Sequence, residues 1–107
     1  MKDGYRIVFM TAPSEEVAAN IGKTLVEEKL IACCNIVPQI RSIYKWKGKV
    51  CDEKEVLCII KTREELFDRL KRRVKELHPY EVPEIIAIKI KDGLREYLNW
   101  IDEATGR

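Results

Sequence analysis

The chain is expected to fold as an α+β domain, a four-stranded antiparallel sheet in the split βαβ arrangement with two crossover helices on one face. Three observations carry this. The stretch from Asn35 to Thr62 reads as one long β-hairpin, an amphipathic helix precedes it and another follows it, and a further apolar strand lies beyond each helix. The order is β-α-β-β-α-β, followed by a short helix.

Tyr5 to Ala12 forms the first strand, with Ile7, Val8, Phe9 and Met10 consecutive and apolar, as in a strand buried on both faces. Pro13-Ser14 stops it. Ser14 is a good N-cap, and Glu15 and Glu16 suit the positive end of a helix dipole. Val17, Ile21 and Leu25, with Ala18 and Val26, then make one apolar stripe as far as about Lys29. In the first arm of the hairpin Ile36, Ile40, Tyr44 and Trp46 are assigned to one face, and Pro38 marks an edge strand or a bulge. Tyr44-Lys45-Trp46-Lys47-Gly48 lies at or near the tip. The second arm, from Val56 to Ile60, is apolar at every position, so both of its faces should be covered.

Thr62-Arg63-Glu64-Glu65 fits a capping box for the second helix. Its apolar stripe is Leu66, Phe67, Leu70, Val74 and Leu77; its basic face, Arg69 to Lys75, reads as a solvated surface paired to nearby acids. A loop pinned by Pro79 and Pro83 leads to the fourth strand, Ile85 to Ile90. Asp92-Gly93 then turns the chain into a helix with Leu94, Tyr97, Leu98 and Ile101 on one side.

The 107 residues form a single domain spanning 1–107. A formal net charge of +2 gives no basic footprint for nucleic acid, and there is neither a membrane-spanning apolar run nor a signal-peptide core after Met1-Lys2-Asp3-Gly4. A cytoplasmic protein is expected. Charged residues of both signs make up 36% of the chain, the composition of ion-pair networks on thermostable proteins. The cysteines Cys33, Cys34, Cys51 and Cys58 contain no Cys-x-x-Cys pair, and Cys34 and Cys58 read as small buried apolar residues. Two helices cover one sheet face, and one short C-terminal helix is too small for the other. The exposed patch would exceed the roughly few hundred Å² that monomers tolerate, so an obligate oligomer packed through its sheets is expected.

His78 is the only histidine. It reads as a metal ligand, as a general acid or base, or as a helix C-cap. Met10 offers a soft thioether suited to Cu(I), or fills the core. Lys61 ends the doubly covered strand as a snorkelling cation or an anion site. Tyr44 and Trp46 suit a contact with a neighbouring subunit. No nucleophile with a paired base, Gly-rich phosphate loop or carboxylate pair stands out, so no enzymatic activity is expected. The cysteine pair of a copper chaperone, the strand aromatics of an RNA-recognition domain and the arginine cradle of an acylphosphatase are missing from their places.

Several segments resemble the CutA family of divalent-cation tolerance proteins: Ile7-Val8-Phe9-Met10-Thr11-Ala12-Pro13, Ala32-Cys33-Cys34-Asn35-Ile36, Tyr44-Lys45-Trp46-Lys47-Gly48, Ile60-Lys61-Thr62, His78-Pro79-Tyr80-Glu81-Val82-Pro83-Glu84-Ile85-Ile86 and Tyr97-Leu98-Asn99-Trp100-Ile101. The resemblance implies a ferredoxin-like fold, a homotrimer whose long hairpins reach onto neighbouring subunits, and a role in tolerance of copper and other divalent cations. Where copper ligation is proposed in that family, a cysteine stands at the position of Met10 and a His-His pair at Leu77-His78.

Two functions follow as expectations. One is a trimeric protein that binds copper or a similar ion and responds to metal, with His78, Met10 and Glu81 as ligands. The other is a trimeric signalling or small-anion-binding module, with an inter-subunit cleft lined by Lys61, Tyr80, Glu81, Glu84, Tyr44 and Trp46 beside His78.

Overall fold

A computed structural model describes residues 4–107. The N-terminal reading at Met1, Lys2 and Asp3 lies outside the described residues. The elements are β1 (Tyr5–Ala12), α1 (Glu15–Glu27), β2 (Cys33–Trp46), β3 (Lys49–Arg63), a 3₁₀ turn (Glu64–Leu66), α2 (Phe67–Leu77), β4 (Ile85–Ile90) and α3 (Arg95–Ala104). The four strands form one sheet in the order β2-β3-β1-β4, every neighbour antiparallel. This is the expected split arrangement.

The apolar run in β3 follows from its inner position. Val56, Cys58 and Ile60 point into the main core with Val8, Met10 and Ala12 of β1, beneath Ala18, Ile21 and Leu25 of α1 and Leu70 and Val74 of α2. Leu57 and Ile59 alternate onto the opposite face. Ser14 caps α1, its Oγ accepting from the Val17 N–H at 3.1 Å. The expected capping box before α2 does not form. Thr62 and Arg63 are still in β3, and the Thr62 hydroxyl donates instead to the Leu30 carbonyl at 2.7 Å. Two residues of the basic face of α2 are paired to nearby acids: Arg73 bonds Glu28 and Glu76, and Lys71 bonds Asp68.

The hairpin closes at Lys47-Gly48, both with positive φ (50° and 79°), the conformation of a two-residue type I′ turn. A bulge interrupts β2 between Val37 and Ile40, with Gln39 at φ 60°. It changes which way the rest of the arm faces. Ile36 lies opposite Cys58 on the core side, whereas Ile40 lies opposite Glu55 and Tyr44 opposite Cys51. The expectation that Ile36, Ile40, Tyr44 and Trp46 share one face is therefore corrected: one inserted residue inverts a period-two pattern.

The second sheet face carries rows of apolar side chains in register. Ile88 pairs with Ile7; Ile86 pairs with Phe9 and Phe9 with Ile59. The small cluster of Ala32, Leu98 and Ile101, with Tyr5 and Ala104 packed on it, covers one end only. Ile86 and Ile88 stay 55% and 52% exposed. Leu94, expected on the apolar side of α3, lies outside it at the helix N-cap and is also exposed.

Candidate functional site

The loop after α2 folds back onto the end of β1. His78 is the C-cap of α2, its backbone N–H bonding the Val74 carbonyl at 2.8 Å. Its ring is buried and meets two backbone groups of fixed polarity. Nε2 lies 2.7 Å from the Thr11 carbonyl, and the Tyr80 N–H approaches Nδ1 at 3.1 Å. A carbonyl only accepts and an amide N–H only donates, so the ring is the neutral tautomer with its proton on Nε2. Both nitrogens are then occupied, and neither has a lone pair free for a metal.

Tyr80 tilts against this ring with centroids 4.6 Å apart, and its hydroxyl donates to Glu55 at 2.6 Å. Burial first, then the bond to Glu55, pushes the Tyr80 phenol above its usual range. Tyr44 donates to Glu53, and that bond holds its phenol up at about 12.

These groups surround a cleft of about 520 Å³ between the hairpin and the loop after α2. Tyr44 and Trp46 stand on the hairpin side, and Tyr80, Glu81 and Glu84 on the loop side, with Glu55 also lining it. Three glutamates line the cleft, and among the described lining residues there is no cation. Lys47 reaches the rim, 3.6 Å from Glu81.

Five residues expected from sequence thus come together here: Tyr44, Trp46, Tyr80, Glu81 and Glu84. Three do not line the cleft. Met10 is fully buried among Val8, Cys58 and the helices, because alternation along β1 turns it into the core. His78 stands beside the cleft and holds the loop in place. Lys61, expected as the anion-binding charge, lies opposite Ile7 and Cys33 and donates to Asn35. Glu55 was missed as a site residue because it closes a charged run, Asp52 to Glu55; only its position next to the apolar stretch signals burial. Among the described residues no three His, Cys, Asp or Glu side chains converge closely enough to enclose a metal ion.

The fold and this cleft define an α+β domain with an acidic, aromatic-walled groove beside a buried histidine. Comparison with known proteins places it further. The family described as CutA1 divalent ion tolerance protein matches residues 6–104, and the chain belongs to that family. It is 56% identical over 100 residues to the divalent-cation tolerance protein CutA of Thermus thermophilus, covering 94% of this chain and 97% of that one. It is 46% identical over 97 residues to human protein CutA, covering 91% of this chain but 54% of the human protein. The solved structure of the Thermus thermophilus divalent cation tolerance protein superposes with a TM-score of 0.92 at 55% identity, covering 95% of this chain and 99% of that one.

Proposed function

We propose that this chain acts as a homotrimeric divalent-cation-binding protein, copper among its ions, and that the acidic cleft is where the cation is held. The observation that carries this is the charge of the lining: Glu55, Glu81 and Glu84, against one cation at the rim, Lys47, 3.6 Å from Glu81. Carboxylate and phenol oxygens are hard donors suited to hydrated divalent ions, and such ions keep several waters when bound by a few carboxylates. An ion held partly through water needs no tight cluster of three ligands. The same negative lining opposes a small anion, and Lys61, on which the anion-binding reading depended, lies elsewhere.

The trimer is supported by the second sheet face. Ile86, Ile88 and the half-buried Ile7, Phe9 and Ile59 make a continuous apolar surface that α3 does not cover. Burying it stabilises an assembly by roughly 25 cal/mol per Å² of apolar area removed from water.

Calorimetric titration with Mn(II) and with Cu(II), alongside light scattering, tests both parts. The expected results are saturable binding, at least about tenfold weaker in Glu81→Gln/Glu84→Gln, and a mass three times the 12.5 kDa chain. Equal affinity in wild type and the double variant would reject the cleft. A mass of one chain would reject the trimer.

A further inference from the structure

The cleft between the hairpin and the loop after α2 is larger than a single ion requires. Its volume of about 520 Å³ falls in the range of sites for small organic molecules. Its negative charges are spread out, since among the described residues no three acidic side chains converge on one point. Glu55 is nearly buried, whereas Glu81 and Glu84 are exposed. Most of the remaining wall is carbon: the rings of Tyr44, Trp46 and Tyr80, and the aliphatic side chains of Ile43 and Val82.

Two observations bear on what such a wall attracts. The first is that the chain already places an ammonium group against it. The Lys47 Nζ lies 5.7 Å from the centroid of the Trp46 ring and 3.6 Å from the Glu81 carboxylate. An aromatic face and a carboxylate on the same cation is how alkylammonium groups are recognised. The second is Glu55. Its Oε2 accepts from the Tyr80 hydroxyl, and its Oε1 has no donor among the described residues. A carboxylate only 7% exposed, and held by one neutral phenol, calls for a cation.

We propose that this cleft binds a linear aliphatic diamine, with one ammonium on Glu55 and the other at the mouth, on Trp46 and Glu81. This rests on the reading of the cleft as the place where a cation is held, and it names a second class of cation for it. A metal ion concentrates its charge at one point. A diamine divides it between two points joined by methylene groups, which matches separated carboxylates and a carbon wall. Primary alkylamines are charged at neutral pH, as lysine is with its ordinary pKa of about 10.4. Each ammonium donates N–H bonds to a carboxylate, while the chain between them covers the rings and excludes water. The outer ammonium takes the position that Lys47 holds in the free protein. Lys47 is therefore a built-in competitor, carried on the turn of the hairpin next to Trp46.

The test is calorimetric titration of the full chain with diaminobutane, bearing an amine at each end, and with butylamine, which carries one ammonium as a lysine side chain does. Circular dichroism and light scattering establish the fold and mass of each variant. Diaminobutane should saturate the protein and bind at least about tenfold tighter than butylamine, because it meets two carboxylate positions. Trp46→Leu should weaken it by about threefold or more. Lys47→Met, which removes the competitor, should tighten it by about threefold. Both changes lie at the exposed end of the hairpin, away from the core. Butylamine binding as tightly as diaminobutane would overturn the diamine, because a lone ammonium such as a partner's lysine would then suffice. Weaker binding in Lys47→Met, or unchanged binding in Trp46→Leu, would overturn the placement of the outer ammonium. Titration of the same sample with Mn(II) separates this inference from the metal reading. Mn(II) bound without diaminobutane would overturn the inference alone, and diaminobutane bound without Mn(II) would support it and remove the metal from the cleft.

Discussion

His78 donates from Nε2 to the Thr11 carbonyl at 2.7 Å, immediately beyond the point where β4 stops pairing with β1 at Met10–Ile85. A side chain thus continues the hydrogen bonding of the sheet edge by one position. The single histidine of the chain works as a structural clasp, tying the cleft loop to β1.

His78→Ala should accordingly destabilise the protein by about 1–3 kcal/mol, the usual cost of leaving a buried partner unpaired. His78→Gln, which keeps a donor and an acceptor, should recover part of that loss. Denaturant midpoints at one fixed protein concentration measure both, since an oligomer's stability depends on concentration. Mn(II) affinity of the folded Gln variant should match wild type. A loss of affinity at unchanged stability would make His78 a ligand after all.

Tyr80 and Glu55 form the second link between loop and hairpin, across 2.6 Å. Glu55 is 7% exposed, so Tyr80→Phe removes a donor from a nearly buried carboxylate and should cost about 1–3 kcal/mol. The pH dependence has a definite sign. The folded-state pKa of Tyr80 is raised, so its contribution is fully present below the ordinary tyrosine value of about 10 and is lost as pH rises through the folded value. The stability gap between wild type and Tyr80→Phe should be flat from about pH 7 to 9 and shrink above about pH 10. A gap that narrows already near neutrality would contradict the assignment.

Ile88 stands opposite Ile7 on the uncovered face and is 52% exposed. Ile88→Glu places a charge where the proposed assembly buries apolar surface, while the isolated fold tolerates it. Light scattering should show the mass fall from three chains toward one, with the helical circular-dichroism signal retained. An unchanged trimer would mean that the subunits meet elsewhere.

The legible parts of this molecule are those where burial and sequence period coincide. The unbroken apolar run from Val56 to Ile60 announced an inner strand: it pairs with β1 on one edge and with β2 on the other, its core face is buried, and Leu57 and Ile59 on the second face are half-buried. Ser14 announced a cap because its hydroxyl has one nearby orphan donor to satisfy. The bulge in β2 was legible in part. Pro38 marked it, but the residue that takes the left-handed conformation is Gln39, a type with no special preference for φ of 60°. Its effect on facing was therefore invisible, and Ile36 was grouped with Ile40. Thr62-Arg63-Glu64-Glu65 failed as a capping box for a similar reason: Thr62 found a tertiary acceptor, the Leu30 carbonyl, that local pattern does not reveal. At the site, five of the expected residues meet because they flank one loop and one hairpin tip. Lys61 was grouped with them by residue type alone, and the register of β3 carries it to the far end of the strand.

That far end supplies the last prediction. Arg63 is nearly buried where α3 closes over the sheet; its Nε donates to the Thr105 hydroxyl at 2.7 Å and its Nη2 to the Thr105 carbonyl at 3.2 Å. Tyr5 reaches the same helix, donating to Asp102 at 2.8 Å. Thr105→Val keeps the shape of the side chain and deletes the acceptor, leaving a buried guanidinium N–H unpaired at a cost of about 1–3 kcal/mol. Because the bond joins α3 to β3, the cost should appear as local opening of α3 before global unfolding. Cys33 reports that opening, since its thiol lies 3.8 Å from the Tyr97 hydroxyl of the same helix. Its reaction with a thiol reagent, followed in a Cys34→Val/Cys51→Ser background, should therefore be faster in Thr105→Val under native conditions. Equal rates, with the stability loss confined to the global transition, would show that α3 and the sheet unfold as one unit.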